Sequence, residues 1–373
     1  MYHFLIARFT HTHRTLHRHN TFSLFSVVCN TDQHKGDTFT LLSLINSCGL
    51  SPEKALKLST RLQLINPNGP NAVIQLFRSY GFSDSQLSSL VKKHPFVLLS
   101  KSDKTLLPKL KFLQSIGAST IDFPKILIGD KFLTASLEKT IIPRYKILKS
   151  LVCDDKKVVL ALRRGSWNFY NDSMVNDSVP NIEVLRKLGV PQSSISSLVS
   201  NFPCVAFTKH SRFVEAVNSV KEMGFDPSKL YFVLAIRVIV SMDKEIWESK
   251  FKIFEKWGWS RDICRFAFLK YPEYVMISEK KIMKTMDFLV KDVGLAPEDI
   301  ATCPGILTRN LEKTLVPKCA VIKILKSRGL VKSGLRVSTF IMTSEEKFVQ
   351  KYVTPFQKDL PLLLDAYKVQ KSD

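Results

Sequence analysis

A six-residue phrase occurs three times in the chain: "KTLLPK" from Lys104, "KTIIPR" from Lys139 and "KTLVPK" from Lys313. The first two copies lie 35 residues apart and the third comes after 174 more, close to five further periods. Gly81, Gly117, Gly189, Gly224, Gly258, Gly294 and Gly329 keep the same beat. One interval is doubled, which leaves a repeat near Cys153 without its glycine. A period of this size marks a stack of small supersecondary units, none of which buries its apolar face alone.

One unit, Gly81 to Gly117, shows what the period encodes. Ser83 or Asp84 is suited to cap a helix N-terminus, and Leu87, Leu90 and Val91 form an apolar stripe at helical spacing. Pro95 must end that helix, because proline lacks a backbone donor and clashes with the preceding turn. "FVLL" then reads as a short 3-10 or irregular turn. A second helix starts between Asp103 and Pro108, with Leu106, Leu110 and Leu113 on its core face. Gly117 closes it where a left-handed residue is needed. Pro203 and Pro272 repeat the break fourteen residues after their glycines, whereas Lys131 and Val238 stand at the equivalent places and Pro304 comes early.

No segment alternates with period two, so the expected fold is all-α. It is an α-solenoid, a curved superhelix of about eight units of roughly 35 residues, each with two helices and a short 3-10 element. The repeats are expected over 37–330, with a helical cap over 331–373. The segment 165–180, "GSWNFYNDSMVNDSVP", reads as a loop.

Lys and Arg number 55 against 33 acidic residues, a formal charge of +22. Such an excess suits a polyanion: nucleic acid, or the anionic membrane surface as the competing partner. No run is long and apolar enough to suggest a membrane span. Residues 1–36 are expected to be an organelle transit peptide: Arg8, Arg14 and Arg18 lie among hydroxyl residues and histidines, with no acid before Asp32. That places the protein in the mitochondrial matrix, or alternatively in the chloroplast stroma. The seven cysteines are scattered and form no C-x-x-C pair, so neither a disulfide framework nor a zinc site is indicated.

The spacing in "GFSDSQLSSLVKKHPFVLL…LLPKLKFLQSIG", in "SLEKTIIPRYKIL" and in "KWGWSRDICRFAFLKYPEYVMISEKKIMKTMDFLV" resembles the mitochondrial transcription termination factor (mTERF) family, in its plant organellar branch. The resemblance covers 38–367. It implies a curved helical superhelix that binds double-stranded DNA or structured RNA along a basic concave face. It also implies a role in transcription termination or its regulation, or in RNA processing and splicing. Organellar transcription or splicing proteins are the implied protein partners, and the chain is expected to act as a monomer without a cofactor.

Enzyme signatures are missing. Beyond residue 31 only His34, His94 and His210 remain, and H-E-x-x-H, G-x-S-x-G and G-x-G-x-x-G are all absent. "GLVKSGLR" has Leu335 where a phosphate loop needs lysine. No catalytic or metal-binding residue is therefore expected, and His94 reads as structural. The candidates for nucleic-acid contact are the basic residues after the second-helix proline and their neighbours: Lys109, Lys111, Arg144, Lys146, Lys149, Lys318 and Lys323, with Arg163 and Arg164 as a further pair. Trp257, Trp259, Tyr271 and Tyr274 are expected to pack between repeats. Two other readings fit a helical repeat: a pentatricopeptide-like reader of single-stranded RNA, against which the mid-unit proline argues, and a protein-interaction scaffold, which does not need this charge.

Overall fold

The computed structural model describes residues 35–64, 68–129, 131–169 and 172–361, with Leu363 and Tyr367. The expected transit peptide lies almost wholly outside them. The described residues are helical, with no strand among them. They fall into two compact units, one up to Tyr145 and one from Lys146 onward.

The repeat between Gly81 and Gly117 agrees closely with the physical reading. Ser83 caps the first helix, Asp84–Lys93, in a full capping box with Gln86. Leu87, Leu90 and Val91 are buried. His94 leaves helical geometry (φ −130°, ψ 62°), and Pro95–Leu99 is a 3-10 turn. The second helix is Leu107–Ser115, with Leu106, Leu110 and Leu113 fully buried.

The turn before Leu107 departs from the expected α-helical start. Ser102–Leu106 is π-helical, as are Leu137–Ile141 and Leu311–Leu315, in the other two copies of the six-residue phrase. The backbone amides of Ile141 and Leu315 donate five residues back, to Ser136 and Asn310. A widened turn of this kind accommodates one extra residue and shifts the register of the helix beyond it. Proline then falls at the second position of the α-helix, where its missing donor costs little.

The repeat glycines have positive φ, as a left-handed helix end requires; Gly117 is at +88°. Cys153 stands where the glycine is missing, and it adopts the same conformation, φ +60°. The backbone thus keeps the period where the sequence loses it.

The expected loop over 165–180 is instead largely helical among its described residues. Helix Asp155–Phe169 is kinked at Gly165 (φ −148°, ψ 37°), and Asp172–Asn176 and Ser178–Lys187 complete the repeat. A Cβ on Gly165 would lie 2.2 Å from Pro203 Cγ, so the close approach of the next repeat's proline demands glycine there. Opposite behaviour occurs at Val238: with no proline, Leu230–Ser241 runs on as one helix. Beyond Gly329 lie two short helices, Val337–Ile341 and Glu345–Tyr352, with Phe340, Phe348 and Tyr352 buried.

Candidate nucleic-acid interface

The second helix of a repeat meets the end of the first helix or of the break in the next, where helix carbonyls lack partners. In six places a polar side chain supplies the donor. Lys109 donates to the Leu133 carbonyl. Asn181 Nδ2 donates to Ala206 and Thr208 at 3.0 and 2.9 Å, and Arg212 to Val240 at 2.9 Å. Lys250 and Lys281 reach the carbonyls of Ile277 and Thr308, each at 2.7 Å. Lys318 donates to Thr343 at 2.7 Å and to Ile341 and Phe340 at 3.3 and 3.4 Å, with its ammonium 5.0 Å from the Phe348 ring centroid. A cation at the negative end of a helical turn is favoured by the local dipole. These contacts tie each of these repeats to its successor.

This corrects the expected phosphate stripe at two of its three defining members. Lys109 is 4% exposed and Lys318 3% exposed, and both ammonium groups are committed to carbonyls. Burial also pushes the Lys109 pKa down. The extra residue of the π-turn directs this position inward: Lys109 and Lys318 come after a π-turn, and Lys250 sits one residue closer to its cap in a helix without one. Arg144, the third member, is half-buried.

The other candidates divide by surroundings. Lys111, Lys146 and Lys323 are exposed. Lys149 is half-buried in an ion pair with Asp155 at 2.7 Å. Arg163 and Arg164 are exposed on one helix, and Arg164 reaches the Asn201 carbonyl at 3.5 Å. Lys104, Lys139 and Lys313, which begin the three phrases, are not among the sequence-derived candidates. All three are exposed, and none is in an ion pair with another described residue. The backbone of two of them is held in place: the Lys139 and Lys313 amides donate to Ser136 Oγ (3.2 Å) and Asn310 Oδ1 (2.7 Å). The signal that finds them is the recurrence of the first letter of the phrase rather than the last.

Aromatic residues behave largely as seam packing. Trp259 is buried, and its indole donates to the Pro297 carbonyl of the next repeat at 2.9 Å. Tyr274 is buried and donates to the Cys264 carbonyl at 3.0 Å. Tyr271 is half-buried and donates to Glu273 at 3.3 Å; Glu273 also pairs with Arg237, whose guanidinium lies 3.8 Å from the Phe202 ring centroid. His94 is structural, with Nε2 3.3 Å from the Ile128 carbonyl. Among the described residues no group of three or more His, Cys, Asp or Glu side chains is placed to hold a metal, and no helix is long and apolar enough to cross a membrane.

These features define a class: an α-helical repeat protein with a large excess of basic residues, its repeats joined by basic and amide side chains, four of them buried. The chain matches the mTERF family over residues 74–237 and 235–349, and it belongs to that family. It is 24% identical over 305 residues to transcription termination factor MTERF15, mitochondrial, of Arabidopsis thaliana, covering 82% of this chain and 59% of that protein. It is 18% identical over 262 residues to transcription termination factor MTERF8, chloroplastic, of the same plant, covering 69% of this chain and 51% of that one. The chain thus spans between half and three fifths of the length of these relatives.

Proposed function

We propose that the protein is an organellar nucleic-acid-binding factor that controls gene expression without catalysis, by terminating or regulating transcription or by aiding transcript maturation. The observation that carries the reading is the charge of +22 together with exposed lysines at equivalent positions of the repeated phrase. Lys104, Lys111 and Lys139 serve the first compact unit; Lys146, Lys313 and Lys323, with Arg163 and Arg164, serve the second. They neutralise phosphates of double-stranded DNA or structured RNA, which releases counterions and supplies affinity without reading sequence. The relatives named as mitochondrial and chloroplastic factors support import into an organelle through the N-terminal 36 residues, with the mitochondrial matrix the preferred destination.

The test is fluorescence anisotropy with duplex DNA and duplex RNA across a salt series. Log affinity falls with log salt by about 0.9 per phosphate contact on duplex DNA. Replacing Lys104, Lys139 and Lys313 together by Ala is expected to reduce that slope by about 2.7. An unchanged slope and affinity in the triple variant rejects these residues as phosphate contacts. Absence of salt-dependent binding to either duplex rejects the function.

A further inference from the structure

Within the compact unit from Lys146, the first helices of successive repeats run to ten residues or more, as in Gln192–Asn201, Leu230–Ser241 and Arg261–Lys270. The last two are shorter: Pro297–Thr302 has six residues and Val337–Ile341 has five. Between these two helices and Val316–Ser327 lies a cleft of about 1010 Å³. That is the upper end of the usual size of a small-molecule site, and such sites are mostly apolar with a few polar groups at one side.

The walls fit that description. Phe288, Val293, Leu295, Val316 and Leu335 line the cleft with half-buried apolar side chains over the buried Ile300, Ile322 and Phe340, and Cys303 and Cys319 are set among them. Burial pushes both thiols up, Cys319 to about 12, so the lining is apolar around them. None of the buried polar atoms that lack a partner belongs to the lining, so the interior asks for no hydrogen bonds. The edge is different. Lys323, Lys326 and Arg336 are exposed there and are in no ion pair among the described residues, facing two acids, Asp292 and Asp299.

We propose that this cleft binds a single-chain amphipathic anion, with the hydrocarbon chain among the apolar walls and a carboxylate or phosphate head at Lys323, Lys326 and Arg336. Apolar volume recognises the chain, and the surplus cation recognises the head. The head shares Lys323 with the nucleic-acid contacts proposed above; Lys326 and Arg336 belong to this site alone.

The experiment titrates the full chain with cis-parinarate, a fluorescent polyene carboxylate, and displaces it with palmitate, lysophosphatidate, hexadecanol or hexadecyltrimethylammonium below their micellar concentrations. Saturable one-to-one binding is expected, with at least one of the two anions displacing the probe tenfold better than the alcohol or the cation. Which anion is the better competitor identifies the head as carboxylate or phosphate. Ala320→Trp, which fills the cleft from one wall, should abolish binding, and Lys323→Glu with Lys326→Glu should weaken it about tenfold. On the unaltered protein, palmitate should slow maleimide labelling of the half-buried Cys303 but not of the exposed Cys153 and Cys204. The protection measurement decides alone if the Trp variant melts early. Binding without preference for an anionic head, binding unaffected by both variants, or labelling unprotected by palmitate overturns the proposal.

Discussion

Cys153 is the one described residue other than glycine with positive φ, at +60°. A side chain in the left-handed region sets Cβ against the following carbonyl and costs about 1–2 kcal/mol. The thiol recovers little of this, since it is exposed and makes only a long contact, 3.9 Å, to the Ser150 carbonyl. Cys153→Gly removes the strain but adds freedom to the unfolded chain, which costs about 0.4–1 kcal/mol. The expected net gain is about 0.5–1 kcal/mol, or about 1–4 °C in midpoint for a unit of this size. The measurement is thermal and urea denaturation under reducing conditions. Gly117→Ala is the converse control: its Cβ would meet nothing within 4 Å, so only the strain at φ +88° and the loss of unfolded-state freedom act. It should cost a net of about 0.5–1 kcal/mol. A Cys153→Gly protein that melts at or below the parent temperature, beside a destabilised Gly117→Ala, would refute the assignment of strain to Cys153.

Two further expectations concern buried groups. Lys318→Met keeps the packing on Phe348 but leaves the carbonyls of Ile341 and Thr343 without their donor, so it should cost about 1–3 kcal/mol in urea denaturation. The same variant should leave the salt slope of nucleic-acid binding unchanged, which a phosphate-contact role for Lys318 would not allow. Burial raises Cys48 to about 11 and Cys319 to about 12, from an ordinary value of 9.0. Both folded values lie above the unfolded one, so their contribution to stability is full below pH 9 and is lost as pH rises through about 11–12. Urea midpoints at successive pH values should therefore decline above pH 9, and less steeply in Cys319→Ala; an identical decline in that variant would argue against a buried thiol.

The period, and through it the fold class, is legible in the order of amino acids alone. Glycine at a helix end and proline at a break act through local sterics, so the helix Asp84–Lys93 can be read residue by residue with its cap, stripe and stop. Local rules also fail in instructive places. Over 165–180, polar and hydroxyl residues conceal helical structure, because the neighbouring repeat supplies the packing that propensity does not. At Val238 a helix continues where a break is in phase, whereas at Lys131, equally without proline, the chain still makes a 3-10 turn. Cys153 takes a glycine's conformation because its neighbours over-determine the turn.

The direction in which the basic residues point is set by packing, not by their order in the chain. Lys104 and Lys109 stand in one six-residue phrase, yet one is exposed and the other is sealed against the Leu133 carbonyl. Composition counts them equally. Their roles separate because a π-turn shifts register by one residue between them, and because the partner carbonyl arrives from 24 residues further along the chain. Charge is a property of the sequence, but presentation of charge depends on which helix faces lie against the next repeat.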